Sequence, residues 1–299
     1  MATTERIPRI TWLIAALVLP SAIQTADINP FLAGGIPSPI GAHPAHIGIN
    51  IGQNVFCGGT ILNQNHILTS GSCVLDGQNN LRAAGEFLLR IGVITIDATT
   101  PWMGVIRVFV HPHYNPFTFE NDIAILRTNG DMTFPVVATP HMAPAELIDR
   151  IVPENAACEV VGWNWLPGTP SMNLQQLGVT VYPRTACQTM FQGMIRDSMM
   201  CAAAAQANQG MCVANRGGGL YCNGRLTGVA SFGFGCAANS TATVFTQVRY
   251  HRQWIQQQFG RADNPGPGPT PMPGVDGATS LKQSAVAFLL AAMMVILLR

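Results

Sequence analysis

The sequence predicts an all-β fold, a sandwich or barrel with one C-terminal helix, and three observations carry that reading. Short apolar stretches with β-branched or alternating residues recur through the middle of the chain, each bounded by Gly, Pro or Asn. They follow one another without intervening helical segments, which argues against the strand–helix alternation of a parallel sheet. One late stretch, "VRYHRQWIQQQF", has helical spacing instead, with Tyr250, Trp254 and Ile255, flanked by Val248 and Phe259, expected on one face.

Taken in order, the chain opens with Arg6 and Arg9, then "ITWLIAALVL", then small residues at Ser21, Ala22 and Ala26. A basic start, a short apolar run and small residues predict a secretory signal peptide over residues 1–26, with a short pre-segment over 27–31. The apolar run is about half of the roughly 20 residues that a membrane span needs. The strand stretches are "NHILTS", "EFLLRIGVITI", "VIRVFVHPHY", "NDIAILRT", "ACEVVGWN", "LGVTVYP" and "RLTGVASFG". After the helix, residues 261–280 are a Pro/Gly-rich linker that can form neither a helix interior nor a central strand. Residues 281–299 end in "AVAFLLAAMMVILL" and Arg299. Small residues at Asp276, Gly277 and Ala278, a polar spacer and a short apolar tail have the layout of a glycolipid-anchor (GPI) signal. The expected location is therefore the outer face of the plasma membrane.

Composition excludes some function classes. The net charge is +1 and 10% of residues are charged, so no electrostatic footprint for nucleic acid is present. The 8 cysteines, an even number in a chain read as secreted, point to disulfides. No C-x-x-C spacing supports a metal site, and neither a metal nor a cofactor is expected. Counting alone leaves on the order of a hundred pairings open.

Several motifs in order now matter: "AGGIPSPIGAHPAHIGI", "FCGGTILNQNHILTSGSCV", "HPHYNPFTFENDIAILR", "ACEVVGWN" and the terminal helix. Together the central region resembles the trypsin/chymotrypsin-like serine protease family. The resemblance implies two six-stranded antiparallel β-barrels with a substrate cleft between them, over residues 32–260. It also implies the pairs Cys57–Cys73, Cys158–Cys222, Cys187–Cys201 and Cys212–Cys236.

The family's chemistry needs a hydroxyl nucleophile, an imidazole to take its proton and a carboxylate to orient the imidazole. Asp122 in "NDIAIL" matches the carboxylate. The "AAHC" motif of the family appears here as "SGSC", which puts Ser72 where the base belongs. The "GDSGGP" motif appears as "ANRGGG", which puts Arg216 at the nucleophile position. A serine hydroxyl is no useful base near neutral pH, and a guanidinium is no nucleophile. None of the seven histidines lies in a family position facing the cleft, and His111 and His113 read as a surface loop.

The supporting parts differ as well. Cleavage in the family frees an N-terminus that pairs with an Asp before the nucleophile. Here the matching bond is Phe31–Leu32, with no basic residue before it, and the receiving residue is Asn215. Ala214, Asn215 and Arg216 form the oxyanion turn by resemblance, with Ala214 in place of a Gly. The specificity pocket is expected to involve Gly210, Ser231, Gly233 and Thr243, with Gly210 where a trypsin-like enzyme has Asp and Thr243 narrowing the wall. Asn239 in "NST" is a glycosylation sequon near that pocket. These substitutions point to a non-catalytic protease homologue that binds a protein partner. The alternatives are an active endopeptidase with an unusual site and a structural surface protein without a specific ligand.

Overall fold

Alternation along the chain becomes a set of short strands in the computed structural model, which describes residues 32–52, 55–135, 141–163, 171–205, 210–211, 215–233 and 242–260. The expected signal peptide, pre-segment, linker and anchor signal lie outside the described residues, as do Ala214, Asn239 and the Cys212–Cys236 pair. Among the described residues no helix is long and apolar enough to cross a membrane.

Two short strands, β1 (Leu32–Ala33) and β2 (Ile36–Pro37), come first. The next group is β3 (His46–Ile51), β4 (Val55–Asn63), β5 (His66–Thr69), β6 (Phe87–Arg90), β7 (Thr95–Asp97), β8 (Met103–Val110) and β9 (Ala124–Thr128). Six of them close an antiparallel barrel in the order β3-β4-β5-β9-β8-β6. Closure removes the free edges that a flat sheet would expose. Ile47, Ile49, Ile61, Ile67, Leu89 and Leu126 fill it, all fully buried.

The chain then forms β10 (Ala157–Trp163), β11 (Ser171–Val181), β12 (Met199–Ala204), β13 (Gly210–Met211), β14 (Gly219–Cys222), β15 (Arg225–Gly233) and β16 (Ala242–Gln247). Pairing runs β10-β14-β15-β16-β12-β11 and returns from β11 to β10, so a second six-stranded barrel closes. The all-β, two-barrel architecture with a C-terminal helix is therefore as expected. β2 and β7 add to the outer edge of β11, and β1 pairs with β13. A shared core joins the barrels through Phe56, Leu68, Ile125, Val161, Trp163 and Ile255. Disulfides link Cys57 to Cys73, Cys158 to Cys222 and Cys187 to Cys201.

The helices are α1 (Gly71–Val74), α2 (Arg184–Met190) and α3 (Val248–Phe259). The buried face of α3 differs from the one its apolar residues suggest. It consists of Val248, His251, Ile255 and Gln258, whereas Tyr250 is 59% exposed and Phe259 37%. His251 and Gln258 can enter the interface because their polar atoms find partners there. The ring nitrogens of His251 meet Gln247 O at 2.8 Å and Asn121 Oδ1 at 3.0 Å, and Gln258 Nε2 donates to Trp254 O at 2.9 Å.

The stretch "EFLLRIGVITI" divides into β6 and β7 rather than forming one strand. Alanine-rich β12 carries little intrinsic strand preference and is recruited by pairing with β11 and β16.

Candidate functional site

Asp122, Ser72 and Arg216, which the sequence singled out, converge where the barrels meet. Asp122, two residues before the start of β9, is fully buried. Ser72 lies in α1, one residue from the Cys57–Cys73 bridge that ties this turn to β4. Arg216 sits on the turn leading into β14.

The Asp122 carboxylate is held by three donors. Ser72 N donates to Oδ1 at 2.6 Å, Ser72 Oγ to Oδ2 at 3.0 Å, and Ser231 Oγ to Oδ2 at 2.5 Å. Thr246 Oγ1 fixes the same residue's backbone by donating to Asp122 O at 2.8 Å. Ser70 Oγ lies 3.0 Å from Ser72 Oγ, and since the Ser72 proton points at Asp122, Ser70 donates in that pair. Burial pushes the Asp122 carboxyl above its ordinary value; the hydrogen bonds from Ser231 and Ser72 and the charge of Arg216 oppose that rise. Ser231, expected at the pocket, thus directs its hydroxyl to Asp122.

Tyr114 is a site residue that the sequence reading missed. Its ring carbons come within 3.0 Å of the Cβ position that Gly71 lacks, with Asp122 Oδ1 at 3.2 Å from the same point. The phenol is pushed well above its ordinary value, first by burial and then by the charge of Asp122. It belongs to "HPHYN", a stretch read as a surface loop. His113 is exposed there, but His111 is half-buried, with its ring 5.0 Å from Trp254 and 5.3 Å from His251.

The turn around Arg216 is seated by backbone contacts. Gly58 N donates to Arg216 O at 2.7 Å, Gly217 N to Ala230 O at 2.8 Å and Gly218 N to Asn215 O at 3.1 Å. Gly217 has φ +78°, and an added Cβ would fall 2.1 Å from Thr69 Oγ1 and 2.4 Å from Gly58 O. Only glycine suits both demands. Behind the turn lies His46, which the sequence did not single out as buried. It is 4% exposed, stacks on Trp163 at 5.1 Å, and has both ring nitrogens buried without a hydrogen-bond partner among the described residues. Burial, reinforced by neighbouring His43, holds its imidazole down at about 3.

The Arg216 side chain projects from this turn with its Cζ 5.8 Å from the centre of the Phe119 ring. Phe119 itself has φ +55°, a costly conformation for an aromatic residue, and its ring lies 5.1 Å from that of Phe232. The guanidinium Nε is buried and has no hydrogen-bond partner among the described residues. Asn215 is 2% exposed, against Gly162, where an added Cβ would fall 2.2 Å from its Oδ1. Leu32 is 1% exposed within the second barrel's core and pairs with Met211. Of the pocket residues, Gly210 pairs with Ala33, and Gly233 stands opposite Thr243 across β15 and β16.

This arrangement presents hydroxyls and a carboxylate, and no imidazole is among the residues hydrogen-bonded to Ser72 or Asp122. Nucleophilic catalysis by serine requires a base to take the hydroxyl proton, and among the described residues no imidazole is hydrogen-bonded to Ser72 or Ser231. Among the described residues no group of His, Cys, Asp and Glu is arranged to hold a metal ion.

Comparison with known proteins places these features in a family. A family model described as Trypsin matches residues 32–255. The chain is 28% identical over 238 residues to Trypsin-2 of Salmo salar, covering 79% of this chain and 97% of the relative. It is 29% identical over 255 residues to Cationic trypsin-3 of Rattus norvegicus, covering 83% and 96%. It is 28% identical over 234 residues to Trypsin 5G1 of Aedes aegypti, covering 77% and 85%. With two closed barrels, a cleft-side Asp122 and a match spanning most of its length, the chain belongs to the trypsin family of serine protease domains.

Proposed function

We propose that this trypsin-family domain is a non-catalytic homologue that binds a protein partner through the rim of its former cleft. The observation that carries this reading is the environment of Asp122. Its carboxylate is occupied by Ser72 N, Ser72 Oγ and Ser231 Oγ, with no imidazole between it and residue 216, which is an arginine. Loss of a nucleophile or base in such a unit lowers turnover by about 10⁶-fold. Asn215 supports the reading too, because a buried neutral amide offers no counter-charge to a freed N-terminus.

The chain's ends suit presentation at the cell exterior: a secretory signal over residues 1–26, a proline-rich spacer over 261–280 and a glycolipid-anchor signal over 281–299. Release of the protein from expressing cells by a phosphatidylinositol-specific phospholipase tests the tether. Recovery of a membrane-bound peptide reaching Arg299 rules it out in favour of a true span.

Catalysis is tested with a fluorophosphonate serine probe on the full-length protein. No labelling is expected for the wild type or for Arg216→Ser alone, because Ser72 supplies no base. Stoichiometric labelling of a cleft serine in either would favour the active-endopeptidase alternative.

A further inference from the structure

Three arginines of this fold are matched to acids. Arg184 meets Asp197 at 2.7 Å, Arg82 meets Glu86 at 3.1 Å, and Arg225 meets Glu146 at 3.3 Å. Arg216 is different. Among the described residues no carboxylate comes within ion-pairing distance of it, and its buried Nε has no hydrogen-bond partner. Asp122 influences it only through its field, since that carboxylate already takes three hydrogen bonds from serines. What holds the guanidinium is the face of Phe119.

A partly desolvated cation with an unmet donor is an incomplete interaction. Its planar fork matches a carboxylate better than any other common biological acceptor except phosphate. Beside it Phe119 and Phe232 form a half-buried aromatic shelf, backed by Phe191 at 5.6 Å from Phe232. A free anion would use the guanidinium and leave the shelf bare. A peptide with an acidic residue next to an apolar one would use both.

We propose that Arg216 is the receptor for an aspartate or glutamate side chain of a bound peptide segment, with a neighbouring apolar side chain lying on Phe119 and Phe232. The inference rests on the non-catalytic reading, because it requires residue 216 to bind rather than to react. It converts the substituted nucleophile position into the specificity element of the cleft.

The test uses the full-length protein and positional-scanning pools of acetylated, amidated hexapeptides. Each position is fixed in turn as Glu, Gln or Lys, and acetate serves as the free-carboxylate control. Binding is read by competition in fluorescence polarisation. Glu pools are expected to bind at least about 10-fold more tightly than the matching Gln pools, with a preference that weakens as salt is raised. Arg216→Gln should abolish the Glu preference, and Arg216→Glu should reverse it toward Lys-fixed pools. Arg216→Lys should keep part of it.

Equal binding of Glu and Gln pools overturns the carboxylate receptor while leaving a non-catalytic peptide cleft standing. A Glu preference that persists in Arg216→Gln also overturns it. Acetate competing as well as the best pool reduces the site to a simple anion site and overturns the peptide part. Absence of binding by every pool overturns the whole proposal. Cleavage of any pool member by the wild type instead sinks the non-catalytic reading on which it rests.

Discussion

The turn carrying Arg216 and the cluster around Asp122 lie side by side, yet they obey different rules. The turn is a backbone structure: Gly58, Gly217 and Gly218 meet atom to atom, and an added Cβ at Gly217 has nowhere to go. The cluster is a side-chain structure: Ser72, Ser231, Tyr114 and Arg216 satisfy or shape Asp122, with no imidazole hydrogen-bonded to it among the described residues. Close backbone contacts tolerate no extra atoms, so changing one costs the fold. Side chains at a polar site can be exchanged for any set that meets the buried donors and acceptors. A family's frame can therefore remain while the groups projecting from it differ.

The largest expected effect breaks the backbone half of this comparison. Gly217→Ala combines a left-handed φ with overlap onto Thr69 and Gly58, and should destabilise the domain by about 3 kcal/mol or more. Urea unfolding checks this, and a loss under ~1 kcal/mol would show that the turn can shift.

Behind that turn, His46 sharpens the comparison through pH. Its folded-state value is about 3, below the 6.5 of an unfolded histidine. The unfolded chain therefore takes up a proton first on acidification. The stability tied to His46 is fully present above about pH 6.5 and is lost as the pH falls toward 3. The loss should be on the order of 3 kcal/mol by pH 4. His43, His66, His111 and His251 are also lowered, chiefly by burial, and act in the same direction. His46→Phe keeps a ring on Trp163 and should remove about one proton from the acid slope of unfolding free energy. An unchanged slope would place the acid sensitivity elsewhere.

The smallest effect concerns the cluster. Ser72→Ala removes one donor from Asp122 and leaves the backbone N–H in place. A cost of about 1 kcal/mol is expected near neutral pH. The Asp122 carboxyl, already raised by burial, should rise further. Because a raised carboxyl favours the folded state only while protonated, this variant should lose its stability difference as the pH falls to where Asp122 is protonated in both proteins. Carboxyl-carbon NMR titration together with unfolding at several pH values would check both. A pH-independent difference would mean that the Ser72 hydroxyl matters for packing and not for the charge.

The strand stretches and the ordered motifs were readable because strand periodicity and turn residues are local properties. Ser72 and Arg216 are aligned with the family's base and nucleophile positions by resemblance alone, since each lies inside a run of motif neighbours. Other features were not local. Tyr114 reads as part of a loop, and it reaches the site only because Gly71 leaves room for its ring across the fold. His251 and Gln258 read as polar helix residues, yet they are buried by partners that the sequence alone does not bring near.

By itself, then, the amino-acid sequence determined the all-β architecture and the family frame, because these follow from periodicity and from short motifs. Tertiary structure alone decided how Asp122 is satisfied by Ser231 and Ser72, how His46 is enclosed behind the turn, and why Arg216 rests on Phe119 without an acid. Those outcomes depend on which side chains from distant strands arrive within a few ångströms of one another, and burial then sets the cost of every polar group left there.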